Sequence, residues 1–331
     1  MKIEHGGNLF AICAARGWDW REVIDFSASI NPLGPAPAVR RAICSALDRI
    51  VHYPEQSPAR LSARLAELWG VDPDQILLGN GATELLHFYA RVQPQSRVTL
   101  PVPTFSEFHR AWPDAELVPW DQPEEWPDTG LLVYTQPNNP FGSPSPRVLR
   151  RGQPLLIDES FLEFTQMASV GPLVEDYPEL LVLRSLTKFY ALPGLRVGAL
   201  IGSRKTIAAL RKRREPWQVN VLAEAAALAA IEDRSHAEET LAFLHEERNR
   251  LYKRLCSLSR LLPHPSCANY IFAWVDGNAS DLCGWLLERK ILVRNCTTTP
   301  GVNGESIRFA IRTPAENDRL LELMEEYFCG H

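Results

Sequence analysis

Ser185-Leu-Thr-Lys188-Phe, followed by Pro193-Gly-Leu-Arg196-Val-Gly198, sets one lysine among apolar residues with an arginine eight positions downstream. A lysine is the side chain that forms a Schiff base with an aldehyde cofactor. A hydroxyl and an arginine suit a phosphate on that cofactor. Leu186, Phe189, Tyr190, Ala191 and Leu192 flank Lys188 and argue against a surface lysine.

Four further motifs supply the other parts such a site needs. Gly79-Asn80-Gly81-Ala82-Thr83-Glu84 joins a strand to a helix, where free backbone N–H groups and the helix dipole can hold a phosphate. Pro103-Thr104-Phe105 follows a strand, and Phe105 could stack on a flat ring. In Gln136-Pro137-Asn138-Asn139-Pro140-Phe141-Gly142, an asparagine fixed before a proline can donate to a ring hydroxyl. Leu155-Leu-Ile-Asp158-Glu159 ends a buried strand on an acid that can pair with a protonated pyridine nitrogen. Each motif alone also reads as a turn, a core aromatic, a Pro/Asn loop or a helix cap. Their order carries the argument: phosphate loop, aromatic, asparagine, aspartate, lysine, arginine. Read together they make Lys188 the carrier of pyridoxal phosphate.

These residues need a sheet to position them. Gln75–Gly79, Arg97–Leu100, Ala115–Val118, Leu131–Tyr134, Pro154–Ile157, Leu180–Leu183 and Val197–Ile201 are short apolar runs without alternation. Such runs suit strands buried on both faces, and their interleaving with helices predicts an α/β domain with a mostly parallel sheet. The candidate residues all follow strands, which places them along one edge. Beyond Pro216 the pattern changes to helices over Trp217–Ile231 and Ser235–Leu258. Strands near Tyr270–Trp274, Ile291–Arg294 and Ser306–Ile311 follow, with helices over Ser280–Lys290 and Ala315–Phe328. This predicts an N-terminal arm (1–40) packing on the small domain and active site, a large domain (41–216) and a small α+β domain (217–331).

Composition excludes several classes. A chain of 331 residues, 45% hydrophobic and 23% charged, can bury a substantial core. The formal net charge of -5 gives no electrostatic case for nucleic acid, and the basic run from Arg204 to Arg214 reads as a helix face and end. Seven scattered cysteines without a Cys-x-x-Cys pair predict reduced thiols rather than a disulfide or zinc framework. No apolar run reaches membrane-spanning length, and the N-terminus lacks a signal-peptide core, so a cytoplasmic protein without a membrane partner is expected.

With these residues in view, the chain resembles the fold-type I pyridoxal-phosphate enzymes of the aminotransferase class I/II group, from Ile3 to the last helix. The resemblance implies a large domain with a central, mostly parallel seven-stranded sheet between helices, plus the smaller α+β domain. It implies that Lys188 forms the Schiff base, Asp158 pairs with the pyridine nitrogen and Asn139 with the ring hydroxyl. Gly81, Ala82, Thr83, Ser185 and Arg196 would bind the cofactor phosphate, and Phe105 would stack on the ring. His52-Tyr53-Pro54 matches a motif whose tyrosine reaches the other subunit's phosphate, which implies a homodimer with shared active sites.

Two branches of the group compete. His5-Gly-Gly-Asn8, Asp25-Phe-Ser-Ala-Ser-Ile-Asn31-Pro-Leu-Gly34 and the block from Leu183 to Arg196 resemble the L-threonine-O-3-phosphate decarboxylases of cobalamin synthesis. Pro216-Trp217-Gln-Val-Asn220, Ala268-Asn-Tyr270 and Arg308-Phe-Ala-Ile-Arg312 add to this. So does Phe161, where many aminotransferases carry a tyrosine. Two departures stand out: the stretch from Asn139 to Asp158 is too short for the usual helix, and Phe141 replaces a usual threonine.

The implied substrate carries an amine, a carboxylate and a phosphate, with Arg294 and Arg308 as anion partners and His5 and Asn31 adding contacts. Arg312 reads equally as an ion-pair residue. The implied reaction releases CO2 and yields (R)-1-amino-2-propanol O-2-phosphate, with Lys188, Tyr190 or water protonating Cα. Histidinol-phosphate aminotransferase activity and a non-catalytic, cofactor-binding regulator are the alternatives. The sequence does not separate phosphothreonine from phosphoserine.

Overall fold

The computed structural model describes residues 6–94 and 96–330. Along the chain come α1 (Leu9–Arg16), β1 (Ile24–Asp25), α2 (Pro37–Ala46), α3 (Ala59–Trp69), β2 (Ile76–Gly79), α4 (Ala82–Val92), β3 (Val98–Val102), α5 (Ser106–Ala111), β4 (Glu116–Pro119), β5 (Leu131–Thr135) and β6 (Leu155–Asp158). They are followed by β7 (Leu180–Ser185), β8 (Gly198–Gly202), α6 (Arg204–Arg211), α7 (Val221–Glu232), α8 (Arg234–Cys256), β9 (Leu261–Pro263), β10 (Tyr270–Val275), α9 (Ala279–Glu288), β11 (Ile291–Leu292), β12 (Arg294–Asn295), β13 (Ser306–Ala310) and α10 (Pro314–Gly330).

The seven predicted apolar runs form one seven-stranded sheet in the order β2-β8-β7-β6-β5-β3-β4. Alternate residues of each run enter different cores. Leu132 and Tyr134 of β5 join the core shared with α7 and α8, while Leu131 and Val133 join the core under α4 and α6. That two-sided burial is why the runs are apolar throughout. All neighbours pair parallel except β8, which runs antiparallel to both β2 and β7. This reversal puts the start of β8 at the same sheet edge as the ends of β2, β5, β6 and β7.

The C-terminal part contributes a four-stranded antiparallel sheet, β12-β13-β10-β9. The single strand expected at Ile291–Arg294 is two strands in two sheets. β11 pairs parallel with β1, whereas β12 pairs with β13, and the chain changes partner at Val293. The first forty residues, read as an arm, contain α1, part of α2 and β1. Phe26 links the two C-terminal sheets, donating its N–H to Leu292 and accepting from Ala310. Helix α7 starts at Val221 rather than Trp217, because the Asn220 side chain accepts from the Ala223 N–H at 2.8 Å and caps it.

The connection from β5 to β6 contains no helix. Side chains tie it to the sheet end instead. Ser145 donates its hydroxyl to the Thr135 carbonyl at 2.7 Å, and its N–H to Gln136 Oε1 at 2.7 Å. Phe141 fills a buried aromatic cluster, edge-on to Phe272 with ring centroids 4.9 Å apart. Among the described residues, no helix is long and apolar enough to cross a membrane.

Candidate active site

Where the strands end, a cavity of about 180 Å³ opens between the sheet edge, the Ser27–Ile30 segment and strands β12 and β13. Asp158 reaches it from the end of β6. Because strand side chains alternate, the next residue, Glu159, turns the other way and pairs with buried Arg184 at 2.9 Å. The Ser160 N–H holds Asp158 Oδ1 at 2.8 Å. Burial raises the Asp158 carboxyl above its ordinary range, and the positive charge of Lys188 opposes that rise.

Lys188 lies in the loop after β7. Its Nζ sits 4.7 Å from the centre of the Phe161 ring. Burial pulls its amine well below the ordinary lysine value, Asp158 resists, and Arg196 and Arg308 add to the lowering. A lysine amine so shifted is closer to its neutral, nucleophilic form.

At one end of the cavity, Ala82 and Thr83 open α4. Gly81 has φ +90°, and a Cβ there would lie 2.4 Å from Arg196 Nη2, so only glycine lets the guanidinium lie over the helix start. Gly198 is equally constrained, since its Cβ would come within 2.5 Å of the Ala82 nitrogen. Backbone donors, helix dipole and guanidinium thus converge as an anion cradle. Ser185 is buried beside it, its hydroxyl 2.7 Å from that of Thr187, a residue the sequence reading did not single out. Phe105 lines the cavity wall.

The two adjacent asparagines divide their labour. Asn138 is structural, donating to the Pro103 carbonyl at 3.0 Å and accepting from the Phe141 N–H at 3.1 Å. Asn139 lines the cavity, and its side-chain oxygen accepts from Arg308 Nη1 at 2.6 Å. Arg308 and Arg294 are directly opposed across β13 and β12. Like charges so placed repel each other unless an anion lies between them. Among the described residues neither has an ion-pair partner. Burial and the neighbouring Arg294 push the Arg308 guanidinium down to about 10, which still leaves it charged at neutral pH. Among the described residues Asp158 is the one carboxylate lining the cavity, against Lys188, Arg294 and Arg308.

Asn31 and Tyr53 do not line the cavity. Asn31 is buried. Its amide donates to the Phe189 carbonyl and the Thr240 hydroxyl at 2.8 and 2.9 Å, and its oxygen accepts from the Leu33 N–H at 3.0 Å. Those bonds use both of its amide hydrogens and one lone pair of its oxygen, and tie the Asn31 loop to the Lys188 loop and α8. Tyr53 is 80% exposed and stacks on Trp217 with ring centroids 4.6 Å apart. His5 lies outside the described residues. Arg312, left open by the sequence, is an ion-pair residue bound to Glu316 at 2.7 Å. Ser27, Ser29 and Ile30 line the cavity unanticipated. They sit inside the quoted Asp25–Gly34 block, where attention fell on the asparagine.

The family profile described as "Aminotransferase class I and II" matches residues 21–324. The threonine-phosphate decarboxylase of Salmonella typhimurium (strain LT2) is 35% identical, with 98% of this chain and 97% of that protein covered. A histidinol-phosphate aminotransferase of Symbiobacterium thermophilum is 33% identical, covering 92% and 90%. The crystal structure of a histidinol-phosphate aminotransferase from Sinorhizobium meliloti in complex with pyridoxal-5'-phosphate superposes with a TM-score of 0.78 at 22% identity, covering 99% and 96%. The chain belongs to the aminotransferase class I/II family and has its fold-type I architecture. The family's cofactor is pyridoxal 5'-phosphate, and the cavity fits it: an acid and a lysine at the floor, an aromatic wall, and an anion cradle at one end.

Proposed function

We propose that the protein decarboxylates L-threonine O-3-phosphate to (R)-1-amino-2-propanol O-2-phosphate and CO2, a step of cobalamin synthesis. The observation that carries this reading is the opposed pair Arg294 and Arg308, without counter-ions among the described residues. L-threonine O-3-phosphate brings a carboxylate and a phosphate in one molecule, one for each guanidinium. The likeness to the Salmonella decarboxylase over nearly the whole of both chains supports the same reading.

In this reading Arg308, tied to Asn139 near the cofactor ring, takes the carboxylate. Arg294, on the outer strand beside Gly6 and Ser27, takes the phosphate. The Arg196 guanidinium and the start of α4 hold the cofactor phosphate. Asp158 keeps a proton at the ring nitrogen, and Asn139 donates to the ring hydroxyl. When bound, pyridoxal phosphate supplies the electron sink for the pair left on Cα. The Cα–carboxylate bond breaks, CO2 leaves, and Lys188 Nζ delivers a proton to Cα. Tyr190 is buried against Phe189 and does not line the cavity, so of the two side chains Lys188 is the positioned acid. Phe161 gives Lys188 an apolar neighbour in place of a hydroxyl.

The test is direct. Purified holoenzyme given L-threonine O-3-phosphate alone is expected to release CO2 with no keto acid present. Turnover seen only with histidinol phosphate and 2-oxoglutarate would make it an aminotransferase. A cofactor absorbance band with no turnover on either substrate would make it a non-catalytic binder.

A further inference from the structure

The segment that walls the substrate end of the cavity is tied to the Ser27 hydroxyl. Gly6 lines the cavity, and the next residue, Gly7, donates its N–H to Ser27 Oγ at 2.9 Å. Ser27 Oγ in turn lies 2.6 Å from Asp25 Oδ1, which also accepts the Ser27 N–H at 2.8 Å. The direction of this relay is fixed by chemistry. An ionised carboxylate only accepts and a backbone N–H only donates, so the hydroxyl proton points to Asp25 and a lone pair faces Gly7. A charge-assisted bond of that kind holds its donor more firmly than a neutral one.

The Ser27 main chain carries the link on to the substrate. Its carbonyl accepts from Arg308 Nη2 at 3.4 Å. A Cβ on Gly6 would sit 2.2 Å from that same carbonyl oxygen, so Gly6 packs on it as only glycine can. Behind Gly6 lies a second cavity of about 80 Å³, which shares Gly6, Ser27 and Arg294 with the first. The Gly6 backbone is therefore a thin partition at the anion end of the site, and Ser27 is 3% exposed beneath it.

We propose that Ser27, oriented by Asp25, is a positioning residue. It clamps the Gly6–Gly7 segment across the substrate-anion end of the cavity and registers that segment with Arg308. The proposal rests on reading this end of the cavity as a substrate site. It predicts a defect in substrate affinity with the cofactor undisturbed, because Arg196 and the start of α4 lie at the other end.

The experiment measures L-threonine O-3-phosphate binding to the holoenzyme through the cofactor's visible absorbance, together with KM and kcat for CO2 release. Ser27→Ala removes both the Gly7 N–H bond and the bond to Asp25, and is expected to raise Kd and KM about tenfold. The kcat and the cofactor spectrum should stay near wild type. Gly6→Ala leaves the Asp25–Ser27 pair intact but displaces the segment, and is expected to give the same signature. Asp25→Asn keeps an acceptor oxygen and should recover most of the affinity that Asp25→Ala loses.

Unchanged KM in Ser27→Ala, with only a lower melting temperature, would sink the proposal. So would a Gly6→Ala enzyme of normal KM, and this variant decides the matter if Ser27→Ala fails to fold. If wild-type enzyme ignores L-threonine O-3-phosphate but binds histidinol phosphate, the decarboxylase reading fails and the same variants are compared on histidinol phosphate. Binding of neither overturns both.

Discussion

Lys188 and Asp158 are each pushed by burial toward the uncharged form, and each charge resists the other's shift. The consequence for the cofactor-free protein has a definite sign. The folded pKa of Lys188 lies below its unfolded value of 10.5, so between the two the unfolded chain holds the extra proton. Stability then rises with pH through that window. Asp158 has the opposite sense: its folded value lies above the ordinary 3.8, and the stability it contributes is lost as pH rises through the folded value. Urea unfolding of the apo protein against pH should show wild type gaining on Lys188→Met as pH climbs toward 10.5. A flat difference between the two would show that burial does not depress Lys188. The same lysine was legible in the sequence because its apolar flanks and the downstream arginine are local. Ser27 was not, since its role depends on Gly7 and Arg308, which only the fold brings to it.

The strand ends that carry Asp158 and Ser185 share a buried ionic cluster on their far side. Arg184 pairs with Glu159 at 2.9 Å and Glu163 at 2.6 Å, with its guanidinium 5.0 Å from the Trp69 ring. Ser169 and the Val170 N–H complete the shell of Glu159. Removing the cation leaves two acids without their partner in the interior. Arg184→Met should therefore cost about 3–5 kcal/mol in chemical denaturation, whereas the surface pair of Arg64 and Glu67 should cost under about 1 kcal/mol when broken. An equal, small effect for both would remove the cluster's anchoring role. The long elements were readable because a strand buried on both faces needs a continuous apolar run, as in Leu180–Leu183. Strand β1 and the division of the Ile291–Arg294 run into β11 and β12 were not, because two residues carry no periodicity and their pairing is set by distant chain. Helices α1 to α3 were hidden among the glycine and proline signals that punctuate the first sixty residues.

At the scale of the whole molecule, the surface around Tyr53 gathers several exposed apolar side chains. Ile50, Val51, Tyr53 and Trp217 are all exposed and apolar, and Tyr53 lies outside the cavity. We propose that a second copy covers this face and that Tyr53 serves its cofactor phosphate, with the chain divided at residues 40 and 216 as the sequence suggests. Sedimentation should give a dimer. Tyr53→Phe should keep it while weakening cofactor affinity about tenfold, as one lost hydrogen bond to a charged group would. A monomer with full cofactor affinity would refute the shared site. The cavity's cofactor end was legible as ordered motifs, whereas the substrate end joins residues from both chain termini and was legible only as candidates. The reversed strand β8 has one more consequence, for biosynthesis. Within the sheet β2 pairs only with β8, so a nascent chain must carry Ile76–Gly79 unpaired until Gly202 has been made. The anion cradle at the start of α4 is thus the last part of the sheet edge to close, and a ribosome stalled before Gly198 would hold an apolar strand open to aggregation.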